Sequence, residues 1–273
     1  VTRPRFNDAP KRAVTRTSAP ELFALIDEIA LATHARRLET VGIDGAWNAV
    51  TYRYGLRQRV AIDLGLPLWR ALDDDERVAL LGHEVAHGVN GDIARAVVVS
   101  AGLRALATWA DVIEPDDLTS GERGVVGLIT IPFNLILLGL SRLFELLARA
   151  LIVLVYRDGQ RAEFYADSLA ASVAGDSSAL RMLGTLRGGG AYERAVRRAS
   201  NGTVPVNELY DELKRQLRDI PASESERLRR GERAIGGSLG STHPPTYQRE
   251  AILEAGGQRQ PLVHLTRERS MRI

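Results

Sequence analysis

The sequence contains no cysteine, which excludes disulfide bonds and every cysteine-based zinc site. Any metal ion must therefore be held by histidine, aspartate or glutamate side chains. The 36 basic and 34 acidic residues nearly cancel, and no basic run is interleaved with aromatic residues. Nucleic acid is therefore not an expected partner. The first residues form a basic stretch with prolines instead of the apolar core of a signal peptide, so no signal peptide is predicted.

Two of the five histidines belong to an H-E-x-x-H motif formed by His83, Glu84 and His87. The residues before it are typical of a helix, and Asp73, Asp74 and Asp75 suit the positive N-terminal end of that helix. On a helix, histidines four residues apart share one face and can bind the same zinc ion, with Glu84 beside the open coordination position. The motif predicts a zinc hydrolase. The alternative is a surface helix that happens to carry two histidines.

A catalytic zinc takes three protein ligands and keeps one position for water, so a third ligand is required. The metzincin pattern is excluded, since Asn90 and Ile93 occupy the positions where it needs glycine and histidine. A later helical segment carries Glu163 and Asp167, four residues apart on one face. Glu163 can bind the metal while Asp167 accepts a hydrogen bond from a ligand histidine. The spacing alone is equally consistent with two ordinary carboxylates that are exposed on the helix.

A third motif runs from Ser241 to Arg249, with His243 in a proline-stiffened loop and a helix predicted from about Thr246. Such a loop can place a hydrogen-bond donor beside the oxyanion that develops during acyl transfer.

The most apolar part of the chain lies between the first two motifs, in residues 93–113 and 124–156. Residues 124–141 carry no charge, which is close to the roughly 18-residue minimum for a membrane span. The charges that follow share one helical face: Arg142, Glu145 and Arg149. We predict an apolar helical hairpin, associated with membrane lipid, over residues 93–156. The alternative is a pair of helices buried in a soluble core. Pro132 and Asn134, in the uncharged run, leave this alternative open.

The order of the three motifs, with the apolar pair between the first two, resembles the metallopeptidase family of HtpX and the CaaX prenyl endopeptidase, which are gluzincins. The resemblance extends from about Pro20 to Glu254. It implies a single zinc ion per chain, with these ligands: His83, His87 and Glu163. It also implies that Glu84 is the general base and that His243 and Arg249 stabilise the transition state.

Asn48 and Ala49 look like the Asn-Ala pair of this family at the edge strand that pairs with an extended substrate. The aromatic residue and glycine that usually follow are replaced here by Val50, Thr51 and Tyr52. HtpX-like members also have two further membrane helices before the catalytic domain. We therefore expect either a fragment or a shorter relative.

The expected fold is mainly α, an α+β zincin with a small β-sheet built on a hairpin around Gly55–Gln58, and with the apolar helical hairpin inserted. The expected organisation is an irregular basic segment (1–19), a metallopeptidase domain (20–92 and 157–254), the hairpin (93–156) and a C-terminal tail (255–273).

The expected function is zinc-dependent endopeptidase activity through attack of a zinc-activated water, with polypeptide substrates and, by resemblance to HtpX, misfolded membrane proteins. The acidic connector 114–123 and the arginines after residue 156 favour the cell membrane, with the catalytic domain facing the cytoplasm. Two alternatives are a soluble or lipid-surface peptidase of the same chemistry and a non-catalytic scaffold stabilised by zinc.

Overall fold

The computed structural model describes residues 9–10, 12–55, 57, 59–89, 92–115, 125–202, 205, 208–219, 222–235 and 244–273. The chain divides into two compact units. The second unit contains most of the chain between residues 94 and 160, and the first contains the segments before and after it. Each unit is described below by itself.

The first unit contains a four-stranded sheet with the strand order β1-β2-β4-β3. Its strands are β1 (Ala13–Val14), β2 (Thr40–Asp44), β3 (Ala49–Tyr54) and β4 (Arg59–Gly65). Strands β3 and β4 form the antiparallel hairpin expected from the alternation of side chains, and Gly55 supplies a positive φ of 64° at the turn. The sequence did not predict β1 and β2. Among the described residues β3 pairs with β4 alone, so β3 lies at the edge of the sheet.

Helices pack against this sheet, and the buried core of the first unit contains residues of both the helices and the strands. The helices are α1 (Pro20–Ala32), α2 (Leu66–Ala71), α3 (Asp74–Val89), α6 (Asp176–Leu186), α7 (Gly189–Ser200), α8 (Leu209–Arg218), α9 (Ala222–Ile235), α10 (Thr246–Ala255) and α11 (Arg267–Ser270). Helix α1 buries the apolar stripe predicted from its sequence, including Leu22, Leu25, Ile26 and Ile29. The domain is mainly helical with a small open sheet, as expected for a zincin-like fold.

Helix α3 begins with one half of a capping box, a bond from the backbone before the helix to a side chain in its first turn. The backbone N–H of Asp73 donates to the Glu76 carboxylate at 3.3 Å, and the carbonyl of Asp73 accepts the first helical hydrogen bond from Arg77. Acidic residues in the first turn also favour this end of the helix dipole. The start of the helix that carries the two histidines is therefore fixed by local sequence.

Gly82, one residue before the motif, allows α3 to approach helix α5 (Val125–Ala174). A β-carbon at Gly82 would lie 2.6 Å from the Val173 side chain and 3.2 Å from the Ala170 α-carbon. Only glycine permits so close a contact without displacing a helix. This contact brings the face of α3 that carries His83 against the part of α5 that carries Glu163.

The second unit consists of most of helix α4 (Asp92–Ile113) and the N-terminal part of α5. The hydroxyl of Ser141 donates to the Ala110 carbonyl at 3.0 Å, and Arg142 forms a 2.8 Å ion pair with Glu114. Helix α5 continues through Gly159 to Ala174, since one glycine costs an uninterrupted helix only about 1 kcal/mol.

Large apolar side chains of the second unit are exposed. Val112 and Ile136 are 69% and 67% accessible, and others are also exposed: Trp109, Phe133, Leu146 and Leu154. No helix in the described ranges combines the length and the apolarity needed to cross a membrane, so the predicted span is not confirmed.

The C-terminal segment, which the sequence marked as a tail, packs on the core of the first unit. Val263 and Leu265 are buried, and the backbone N–H groups of Leu262 and Val263 both donate to the Val173 carbonyl. The side chain of Ser270 accepts a hydrogen bond from Arg77 on α3. These contacts tie residues 257–273 to the helices that build the site.

Candidate active site

Three potential metal ligands meet between α3 and α5. His83 and Glu163 are buried and His87 is partly buried, and the three offer ligand atoms that all lie within 4.8 Å of one another. The two histidines are one turn apart on α3, and Glu163 reaches them from α5. The structure therefore brings together the three residues that the sequence proposed as ligands.

The spacing of these atoms suits a small tetrahedral ion. The Nε2 atoms of His83 and His87 are 3.2 Å apart, and Glu163 oxygens lie 3.5 Å from His83 Nε2 and 3.6 Å from His87 Nε2. Zinc–ligand bonds of about 2.0–2.2 Å in a tetrahedron place neighbouring ligand atoms roughly 3.3–3.6 Å apart. Two imidazoles and one carboxylate also form a common donor set of hydrolytic zinc. The residues therefore fit zinc.

Asp167 supports the first of these ligands. Its Oδ1 atom lies 3.0 Å from His83 Nδ1, on the opposite side of the imidazole from Nε2. A proton on Nδ1 that donates to Asp167 leaves the lone pair of Nε2 for a metal. The predicted role of Asp167, to hold a ligand histidine in one tautomer, agrees with this contact.

Arg249 on α10 forms a two-pronged ion pair with Asp167. Its Nε donates to Oδ2 at 2.7 Å and its Nη2 to Oδ1 at 2.6 Å, while Nη1 lies 3.4 Å from Glu163. All three side chains are buried. Fork geometry of this kind orients a carboxylate as well as neutralising it. These contacts show Arg249 holding the supporting carboxylates, whereas its role beside an oxyanion, implied by resemblance, stays a prediction.

The pKa values of His83 and Asp167 are shifted because several charged side chains lie close together in the site. Burial disfavours a charged His83, but hydrogen bonds with Asp167 and Glu163 outweigh it and raise the pKa of His83 to about 9. Burial likewise disfavours a charged Asp167, yet its bonds with Arg249 and His83 hold the pKa of Asp167 below its usual range. The carboxylates of Asp167 and Glu163 thus favour a positive charge on His83.

Glu84 is buried beside the ligands and is held by a residue that the sequence did not single out. The hydroxyl of Thr51 on β3 lies 2.8 Å from Glu84 Oε2 and 2.9 Å from the Glu84 carbonyl oxygen. The alternation of β3 provides a signal for this contact, since Thr51 falls on the same face as the buried Ala49.

The remaining predicted site residues are Asn48, Ala49 and His243. Asn48 and Ala49 lie at the start of the edge strand, where Asn48 Oδ1 accepts a hydrogen bond from the Ala49 N–H at 2.9 Å. Helix α10 begins at Thr246 as predicted. His243 lies outside the described residues, and its role stays a prediction.

A helix that presents two histidines to a glutamate on a second helix, with another glutamate beside them, defines a metal site of the kind used by metallohydrolases. The family model of peptidase family M48 matches residues 18–255. The chain belongs to peptidase family M48, and it is a metallopeptidase.

Replacement of Asp167 by alanine is expected to weaken zinc binding about 10- to 100-fold, because His83 loses the acceptor that orients its ring. Asparagine, which keeps an acceptor but no charge, should give an intermediate loss. Competition with a fluorescent chelator measures both affinities.

The matched control is Asp176→Ala, which removes another buried aspartate paired with an arginine, Arg259, at 2.7 Å. This control should lower stability without changing the zinc affinity. Native affinity in Asp167→Ala would contradict the supporting role of Asp167.

Proposed function

We propose that this M48 peptidase is a zinc-dependent endopeptidase similar to HtpX. The observation that carries the proposal is the meeting of ligand atoms from His83, His87 and Glu163 at tetrahedral spacing, with the buried Glu84 next to His83 in the chain. A bound zinc would polarise the peptide carbonyl and lower the pKa of the attacking water. A scaffold that uses zinc only for folding would have no need of Glu84.

The side chains around this site divide the remaining work. Glu84 takes the proton of the attacking water and passes it to the leaving amine. Asp167 and Arg249 hold the ligands in place, so that little reorganisation is needed during the reaction. His243, by resemblance to the family, donates a hydrogen bond to the oxyanion.

The edge strand supplies a binding surface for an extended polypeptide. The β3 strand pairs with β4 on one side only among the described residues, so the backbone near Asn48 and Ala49 is suited to pair with a substrate strand. Backbone pairing carries little side-chain selectivity, which suits an enzyme that degrades varied misfolded proteins. Following the resemblance to HtpX, we include misfolded membrane proteins among these substrates.

The test combines metal analysis with digestion of casein. We expect a single zinc ion per chain, cleavage of casein at internal bonds, loss of cleavage after chelation and its recovery on addition of zinc. A zinc-loaded, folded protein that cleaves neither casein nor unfolded membrane proteins would favour the scaffold alternative.

The second unit suggests a membrane surface as a partner. Its two helices expose several large apolar side chains, and contiguous exposed apolar surface is typical of sites that bind other apolar surfaces. We place the first unit on the cytoplasmic side, since the connector 114–123 is acidic and Arg157 and Arg161 follow the apolar helix. Protease accessibility in sealed vesicles of each orientation tests this placement.

Binding to lipid vesicles should depend on this apolar surface. Ile136→Asp combined with Leu154→Asp is expected to weaken flotation with phosphatidylcholine–phosphatidylglycerol vesicles about 100-fold or more, because each buried side chain contributes roughly 1.5–3 kcal/mol. Leu31→Asp, at a single exposed position on α1, is the matched control and should float normally. Equal flotation of both variants, or none in the native protein, would contradict membrane binding through this surface.

A further inference from the structure

Thr51 connects the edge strand to the motif helix through the side chain of Glu84. One hydroxyl proton faces two acceptors, the Glu84 carboxylate oxygen Oε2 at 2.8 Å and the Glu84 carbonyl oxygen at 2.9 Å. Glu84 is buried and Thr51 is partly buried, so water competes little for this contact. Neither the motif nor the resemblance assigns a role to Thr51.

The position of Thr51 follows from the register of the sheet. Thr51 lies opposite Ile62 of β4, and Ile62 is fully buried, so both belong to the face turned toward the core. The neighbours of Thr51 on β3, Val50 and Tyr52, point to the opposite face. The hydroxyl of Thr51 thus faces α3, at a position where the alternation of the strand predicts an apolar side chain.

A purely structural link between β3 and α3 would need only the bond to the backbone carbonyl. The second acceptor is a carboxylate, and hydrogen bonds to ionised acceptors are about twice as strong as neutral ones. The hydroxyl proton is therefore directed to Oε2 while Glu84 is ionised. One carboxylate oxygen is then held, and the other oxygen, Oε1, is available to exchange a proton.

We infer that Thr51 is a positioning residue for the general base. The inference rests on the proposed function of Glu84. Once Glu84 has taken a proton from water on Oε1, Oε2 becomes the carbonyl oxygen of the carboxyl group and can still accept the hydrogen bond from the Thr51 hydroxyl. Thr51 can therefore hold Glu84 before and after proton transfer.

Thr51→Val removes the hydroxyl but keeps the shape and branching of the side chain. We expect kcat to fall about tenfold, the usual scale for one hydrogen bond to a charged group, with KM changed by less than about twofold. Thr51→Ser restores the hydroxyl and should return kcat to within about threefold of the native value. The zinc content and the unfolding temperature of each variant are measured in parallel.

Thr40→Val is the matched control. Thr40 is on β2 of the same sheet and its hydroxyl contacts the Tyr54 hydroxyl at 2.8 Å, away from Glu84. The Thr40→Val variant loses a hydroxyl of the same kind, and we expect it to keep the native kcat. Native kcat in Thr51→Val, or failure of Thr51→Ser to recover activity at native zinc content and stability, would overturn the inference.

Two measurements separate this inference from the proposed function. If Glu84→Gln is inactive while Thr51→Val is fully active, only the role of Thr51 is wrong. If Glu84→Gln keeps native turnover, the general base itself is wrong. A crystal structure of the zinc-loaded protein tests the contact without activity: we expect Thr51 Oγ1 within about 3.2 Å of the Glu84 carboxylate, and a separation beyond about 4 Å would overturn the inference.

Discussion

Glu84→Gln is expected to lower kcat by at least about 100-fold while the zinc content stays native, because general-base catalysis contributes 10²- to 10⁴-fold. The glutamine amide has nearly the same size as the carboxylate and can still accept the Thr51 hydrogen bond through its oxygen. It cannot take a proton from water at neutral pH. Steady-state hydrolysis of a fluorogenic peptide, together with metal analysis of the same sample, measures both quantities.

The matched control for this variant is Asp75→Asn, which makes the same chemical change at an exposed position on the same helix. We expect native turnover from it. Near-native turnover of zinc-loaded Glu84→Gln would exclude Glu84 as the general base, and loss of zinc from that variant would instead indicate a role in holding the metal.

Local spacing predicted which candidate ligands share a helical face, while the full ligand set came from the resemblance to a known family. His83 and His87 are one helical turn apart, as are Glu163 and Asp167, and a helix fixes the relative positions of such pairs whatever surrounds it. The start of α3 was also predictable, since the capping residue Asp73 and the Glu76 carboxylate belong to the same few residues. The residue types at these spacings also support the proposal that the metal is zinc.

What could not be predicted depends on contacts between segments that are distant in sequence. The sequence offered no reason to pair β2 with β4 in parallel or to add the two-residue β1 at the other side. The contact of Thr51 with Glu84 joins residues 33 positions apart, and it depends on the angle at which β3 meets α3. The start of α3 is thus local in origin, whereas the surroundings of the turn that carries His83 and Glu84 are not.

The ion pair of Arg249 also depends on a residue that is distant in sequence. Its sequence neighbourhood suggested a donor beside an oxyanion, whereas its guanidinium contacts Asp167, 82 residues away, in a buried pair. A buried arginine requires such a partner, but sequence alone does not say which of the 34 acidic residues provides it. The C-terminal segment escaped prediction for a similar reason, since its burial rests on hydrogen bonds to Val173 of α5.

Glu163→Ala is expected to remove zinc from the purified protein. Two neutral imidazoles would remain, and the variant loses both the third ligand and the negative charge that offsets the charge of the ion. Activity should fall to the background level because the water is no longer activated. Atomic emission of dialysed samples gives the zinc content, and titration with zinc shows how much affinity remains.

Loss of a buried carboxylate can also disturb folding, so the result needs a control of equal burial. Glu250 is as buried as Glu163 and pairs with Arg187 at 2.7 Å, but it does not contact the histidines in the structure. Glu250→Ala should therefore lower the unfolding temperature and still bind a full complement of zinc. A zinc-poor Glu163→Ala beside a zinc-loaded Glu250→Ala assigns the effect to ligation. Full occupancy in Glu163→Ala would move the third ligand to another residue, and Asp167, the nearest carboxylate on the same face of α5, would be the first to test.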